Sequence, residues 1–164
     1  MLKFLNSSVR KYRGRFRLHF LLLSIMKKSI LLLHGAIGSK NQLTPLLPFL
    51  NKEFDIHTLN FPGHGGDEIS DEPFSISYFA GEVLKYFDQK NISSLYIFGY
   101  SMGGYVALYL AAHFPERVKK VFTLATKFDW TPQVAEKEMA LLNHEKISQK
   151  VPAFASFLEQ THFP

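Results

Sequence analysis

One serine stands between two glycines in Gly99-Tyr100-Ser101-Met102-Gly103, a spacing that can serve covalent chemistry. A G-x-S-x-G segment joining a strand to a helix makes a tight, strained turn and presents the hydroxyl at its apex. Side chains two positions to either side would collide with neighbouring backbone, and Gly99 and Gly103 remove them. A helix that starts just after the serine turns its free N–H groups and positive dipole end toward a developing oxyanion. The chain has no cysteine, which excludes thiolate nucleophiles, disulfides and thiolate metal sites and fits a cytoplasmic protein. His34, His57 and His64 show no ligand spacing such as H-x-x-x-H, so no metal is expected. Two phosphate-binding motifs fail on spacing. Serine occupies the middle glycine of a G-x-G-x-x-G fingerprint, and Gly38-Ser39-Lys40-Asn41 has the wrong order for a P-loop.

These residues need a scaffold, and the hydrophobic pattern supplies one. The chain has 164 residues, 46% apolar and 20% charged, enough for a packed core within one ordinary domain. From Ser29 onward short apolar runs alternate with helical patterns, which predicts an α/β fold with a parallel sheet and crossover helices. Strands are expected at 29–33 (SILLL), 54–60 (FDIHTLN), 95–99 (LYIFG) and 118–125 (VKKVFTLA). Helices are expected over 42–51, 75–89, 105–114, 132–143 and 152–160. The 75–89 stretch carries the clearest stripe, with Ile76, Phe79, Ala80, Val83, Leu84 and Phe87 on one face. Gly104, Ala107 and Ala111 keep one face of the helix after the serine small, and Pro115 stops it.

The net charge of +5 suggests a nucleic-acid partner until its distribution is examined. Residues 1–25 carry six lysines and arginines and no acid, whereas the rest carries 13 basic and 14 acidic residues. The body is therefore near neutral and has no basic stripe, and no nucleic acid is expected as a partner. The apolar run from Leu18 to Met26 is far shorter than the roughly 20 residues of a membrane-spanning helix, so no stable membrane span is expected. Residues 1–25 read as a basic extension. It is either dispensable, with Met26 as the true start, or a targeting or membrane-surface segment.

Three collinear motifs carry a resemblance. LLLHGAIGS at 31–39, LNFPGHGGD at 59–67 and FGYSMGGYVAL at 98–108, followed by AAHFPERVKKVFTLA at 111–125, together resemble the α/β-hydrolase superfamily over about residues 28–128. The resemblance implies that Ser101 is the nucleophile of an elbow framed by Gly99 and Gly103. It implies that the backbone N–H groups of Ala36 and Met102 form the oxyanion hole. His34 and His64 take structural roles in their loops. The same resemblance divides the chain into an extension at 1–25, an incomplete core at 26–128 and the start of a helical cap at 129–164.

In this family an acid and then a histidine follow the serine in the chain. Asp129 follows the fourth strand, a position that supplies the acid in a minority of members, whereas His144 and His162 lack strand–loop context and are not assigned as the base. The expectation is a partial α/β-hydrolase fold with its C-terminal strands missing, a truncated member of the family. The fourth strand is then left as an exposed apolar edge. The expected activity is that of a serine hydrolase cleaving an ester, thioester or amide of a small apolar metabolite, with no cofactor. Two alternatives stand beside it. One is the pyruvate-eliminating lyase branch of menaquinone biosynthesis, which usually has arginine where this chain has Tyr105. The other is an inactive fragment or binding module that keeps the elbow without its base.

Overall fold

The sheet grows outward from Leu31, Leu32 and Leu33, three consecutive fully buried residues at the end of the first strand. A run apolar on both faces suits a central strand covered above and below. The computed structural model describes residues 27–162, and the extension expected at 1–25 lies outside the described residues. Four strands, β1 (Lys28–Leu33), β2 (Phe54–Thr58), β3 (Leu95–Tyr100) and β4 (Val118–Leu124), form one sheet in the order β2-β1-β3-β4. Every pairing is parallel. The expected parallel sheet with crossover helices is therefore present.

The helices are α1 (Leu47–Leu50), α2 (Ile76–Gln89), α3 (Met102–His113), α4 (Pro132–Leu141), α5 (His144–Lys150) and α6 (Pro152–His162). α2 and α3 pack on each other and cover one face of the sheet. The core there joins Leu31, Leu33, Leu95 and Ile97 of the strands to Phe79, Val83 and Phe87 of α2 and Val106, Ala107 and Leu110 of α3. Burying each of the larger side chains contributes about 1.5–3 kcal/mol. Alternation along β3 sends Tyr96, Phe98 and Tyr100 to the opposite face, where they are only half-buried.

Several boundaries differ from the sequence reading. The helix expected at 42–51 is a 3-10 segment (Lys40–Leu46) followed by one α-turn, because Pro45 and Pro48 remove N–H donors from the α ladder. α3 starts at Met102 rather than Tyr105, so the glycine pair lies inside its first turn. β2 stops at Thr58, two residues short, as the chain turns toward PGHGG. A short helix at His144–Lys150 was not expected. It is set by Asn143, whose side chain accepts a hydrogen bond from the Lys146 N–H, more than by any apolar stripe.

Candidate active site

The strand order itself selects the location. From β1 the chain crosses to β2 on one side, then passes back to β3 on the other side of β1. The ends of β1 and β3 thus flank a topological switch point, where open α/β sheets bind their ligands. Two of the three sequence motifs leave the sheet there. His34-Gly35-Ala36 follows β1, and Ser101 follows β3.

Ser101 has φ 50° and ψ −114°, a left-handed conformation that side-chain-bearing residues rarely adopt. Its N–H donates to the Leu124 carbonyl at the end of β4 (2.8 Å), and its own carbonyl accepts from the Gly104 N–H (3.0 Å). The same carbonyl also accepts from the Thr126 hydroxyl at 3.1 Å. The glycines around the serine are sterically required. A Cβ on Gly99 would overlap the Gly103 carbonyl, and one on Gly103 would overlap the Leu33 carbonyl. A Cβ on Gly104 would overlap the Thr126 hydroxyl.

The loop after β1 is folded against this turn. A Cβ on Gly35 would lie 3.3 Å from Ser101 Cβ and 3.0 Å from the Tyr100 ring. His34 organises the loop and is fully buried. Its Nε2 accepts from the Phe61 N–H at 3.1 Å, which puts the ring proton on Nδ1 to donate to the Gly35 carbonyl at 2.8 Å. Both nitrogens are thereby held by backbone. The Gly35 N–H donates to Gln42 Oε1 (3.0 Å), tying the loop to the 3-10 segment. His64 donates from Nδ1 to the Pro62 carbonyl (3.0 Å), and its ring sits 5.2 Å from that of His34.

Ala36, Ser101 and Met102 share the wall of a pocket of about 620 Å³. Ile37, Ile76 and Leu142 make it largely apolar, and Tyr105, Lys127, Trp130 and Glu138 complete it. A second hollow of about 530 Å³ lies beyond Ala36, Ile37 and Met102 and is lined by His64 and Phe79. Asp129 is exposed.

Residues 28–158, most of the chain, match the family described as the alpha/beta hydrolase fold. The chain belongs to the α/β-hydrolase family. A pimeloyl-[acyl-carrier protein] methyl ester esterase of Neisseria meningitidis serogroup C is 33% identical over 99 residues, which is 60% of this chain and 37% of the relative. The esterase of the same name from Edwardsiella ictaluri is 30% identical over 109 residues, 66% of this chain and 40% of the relative. Among solved structures, a hydrolase from Pseudomonas aeruginosa PA01 superposes with a TM-score of 0.67 at 25% identity, over 78% of this chain and 49% of that one. This α/β-hydrolase chain therefore spans less than half the length of each of these relatives. Its fold is the sheet and crossover helices of the family, and the two curated relatives from Neisseria meningitidis and Edwardsiella ictaluri are esterases.

The sequence motifs located the two loops of this α/β-hydrolase but not the far wall of its pocket. Lys127 and Glu138 form an ion pair at 2.9 Å across eleven positions of sequence. Neither belongs to a recognisable motif. Thr126 was also missed, because a threonine after a strand is an ordinary residue until Gly104 is seen to make room for its hydroxyl.

Proposed function

We propose that this chain carries the nucleophile and oxyanion donors of a serine esterase acting on an uncharged ester of a small apolar acyl group. The left-handed backbone of Ser101 at the switch point, facing an apolar pocket, carries this reading. Ser101 Oγ attacks the ester carbonyl, and the C–O bond to the alcohol breaks to leave an acyl-serine. Water then attacks the acyl-serine carbonyl and releases the carboxylic acid. The N–H groups of Ala36 and Met102 face the developing oxyanion, each donor of this kind being worth about 10²–10³ in turnover. Met102 is the first residue of α3, so the helix dipole adds to the same stabilisation.

The hydroxyl must lose its proton to a base oriented by a carboxylate. His34 is not that base, since backbone groups hold both its nitrogens. The reading assigns to residues 28–128 the nucleophilic half of the site and to α4–α6 the start of a cap over the pocket. The relatives named for a pimeloyl methyl ester support an acyl ester as substrate. Tyr105 in the pocket wall, where the lyase branch usually has arginine, speaks against elimination from an anionic substrate.

The test is a fluorophosphonate probe, which labels only an activated serine, applied to the folded chain with Ser101→Ala as control. Labelling that disappears in the variant is the expected result, since the strained turn, the Ala36 and Met102 N–H groups and the α3 dipole are what this chain brings to activating Ser101. Turnover of a p-nitrophenyl ester needs the base as well, and no pyruvate release is expected. A folded chain that takes no label keeps the elbow without an activated serine, as an inactive fragment or binding module, and the esterase reading fails.

A further inference from the structure

The pocket beside Ser101 contains one cation and one anion, and they neutralise each other. Lys127 Nζ lies 2.9 Å from Glu138 Oε1 and 5.1 Å from the centre of the Trp130 ring. Lys127 belongs to the connection after β4, whereas Glu138 comes from α4. The backbone of Lys127 is fixed beside the elbow, because its carbonyl accepts a hydrogen bond from the Tyr105 hydroxyl of α3. Both members of the pair are about half-exposed, at 44% and 46%. A pair of this kind adds little to stability. Its consequence is electrostatic.

A lone ammonium in an apolar concavity focuses its field and draws anions in. Glu138 cancels that field and leaves no net positive charge to draw a carboxylate in. The Trp130 ring takes up another face of the ammonium through a cation–π contact. We propose that Glu138 is the specificity-determining residue of this pocket: by masking Lys127 it reserves the pocket for uncharged acyl groups and rejects carboxylates. The inference rests on the pocket beside Ser101 being the acyl site of an esterase. It also favours product release, since the ester enters uncharged and the carboxylate product finds no unmasked cation to hold it.

Trp130 is the one tryptophan of the chain, so its fluorescence reads occupancy without any turnover. The full chain is titrated with octanamide and with sodium octanoate, which match in shape and differ by one charge. The unaltered chain is expected to bind octanamide several-fold more tightly. Glu138→Gln frees Lys127 and is expected to reverse that preference toward octanoate by roughly tenfold, with a steep dependence on salt. Adding Lys127→Met to that variant should abolish the octanoate gain. A preference unchanged by Glu138→Gln overturns the proposal, as does a gain that survives Lys127→Met or a Trp130 signal that answers neither ligand. Fluorophosphonate labelling separates the two readings. Selectivity without label sinks the esterase reading and leaves the charge mask standing, whereas label without selectivity does the reverse.

Discussion

At φ 50° and ψ −114°, Ser101 occupies a backbone conformation that costs about 1–3 kcal/mol and persists only where its surroundings over-determine it. Leu124, Gly104 and Thr126 supply that over-determination through three hydrogen bonds to its backbone. Only the Thr126 bond comes from a side chain, so it can be removed without touching the glycines. Thr126→Val keeps the β-branched shape and deletes the hydroxyl. The Ser101 carbonyl still accepts from Gly104, so the expected loss of stability is only about 1 kcal/mol. Fluorophosphonate labelling of Ser101 should slow several-fold, because the hydroxyl then samples directions away from the Ala36 loop. Thr126→Ser restores the donor and should restore the labelling rate. If Thr126→Val lowers the melting temperature but labels at the original rate, the threonine supports the fold alone and does not position the serine.

Among the elements, α2 shows how a cap and a stripe together define a helix. Ser75 accepts from the Tyr78 N–H at 3.0 Å, and Phe79, Ala80, Val83 and Phe87 bury one face. Ser75→Ala removes the cap and should cost about 1 kcal/mol, read as a fall of roughly 4 °C in a thermal melt. No change would mean that packing alone sets the helix start. The same stripe was readable in the sequence because periodicity survives without tertiary information. So were the four strands, their parallel pairing and the turn around Ser101, where steric demand narrows the residue choice to glycine. The start of α3 was not readable, since Met102-Gly103-Gly104 has the local preference of a turn. It becomes helix only because Thr126 and the Leu33 carbonyl require the missing side chains. The 3-10 segment was hidden for the converse reason, as the spacing of Leu43, Leu46 and Leu47 suggests an α-helix that Pro45 and Pro48 do not permit. The Lys127–Glu138 pair was invisible because the fold, and not the spacing, brings its halves together.

Across the whole molecule, charge and apolar surface are distributed in ways that favour association. The basic excess is concentrated in residues 1–25, and from Met26 onward the chain is within one charge of neutral. A near-neutral body lacks the self-repulsion that keeps copies apart. The sheet face opposite α2 and α3 presents Phe122 at 63% exposure and Leu124 at 50%, with the Phe122 ring stacked on Phe98 at 5.7 Å. Within the described residues β4 pairs on one side only, so its outer backbone groups are open to a second strand. Lys119 and Lys120 put charge on the first half of that edge, whereas Val121–Leu124 has none. For this chain tested by itself, association between copies is expected along the latter half of β4. Sedimentation velocity should then show a weight-average mass that rises with concentration from the micromolar range upward, largely independent of salt because apolar contact drives it. Phe122→Lys extends the charged run of β4 across the open stretch and should return the chain to monomer at the same concentrations. It should leave Trp130 fluorescence unchanged, since Phe122 does not line the Ser101 pocket. Association that persists in Phe122→Lys, or that falls away in high salt, would move the contact from this face to the basic extension.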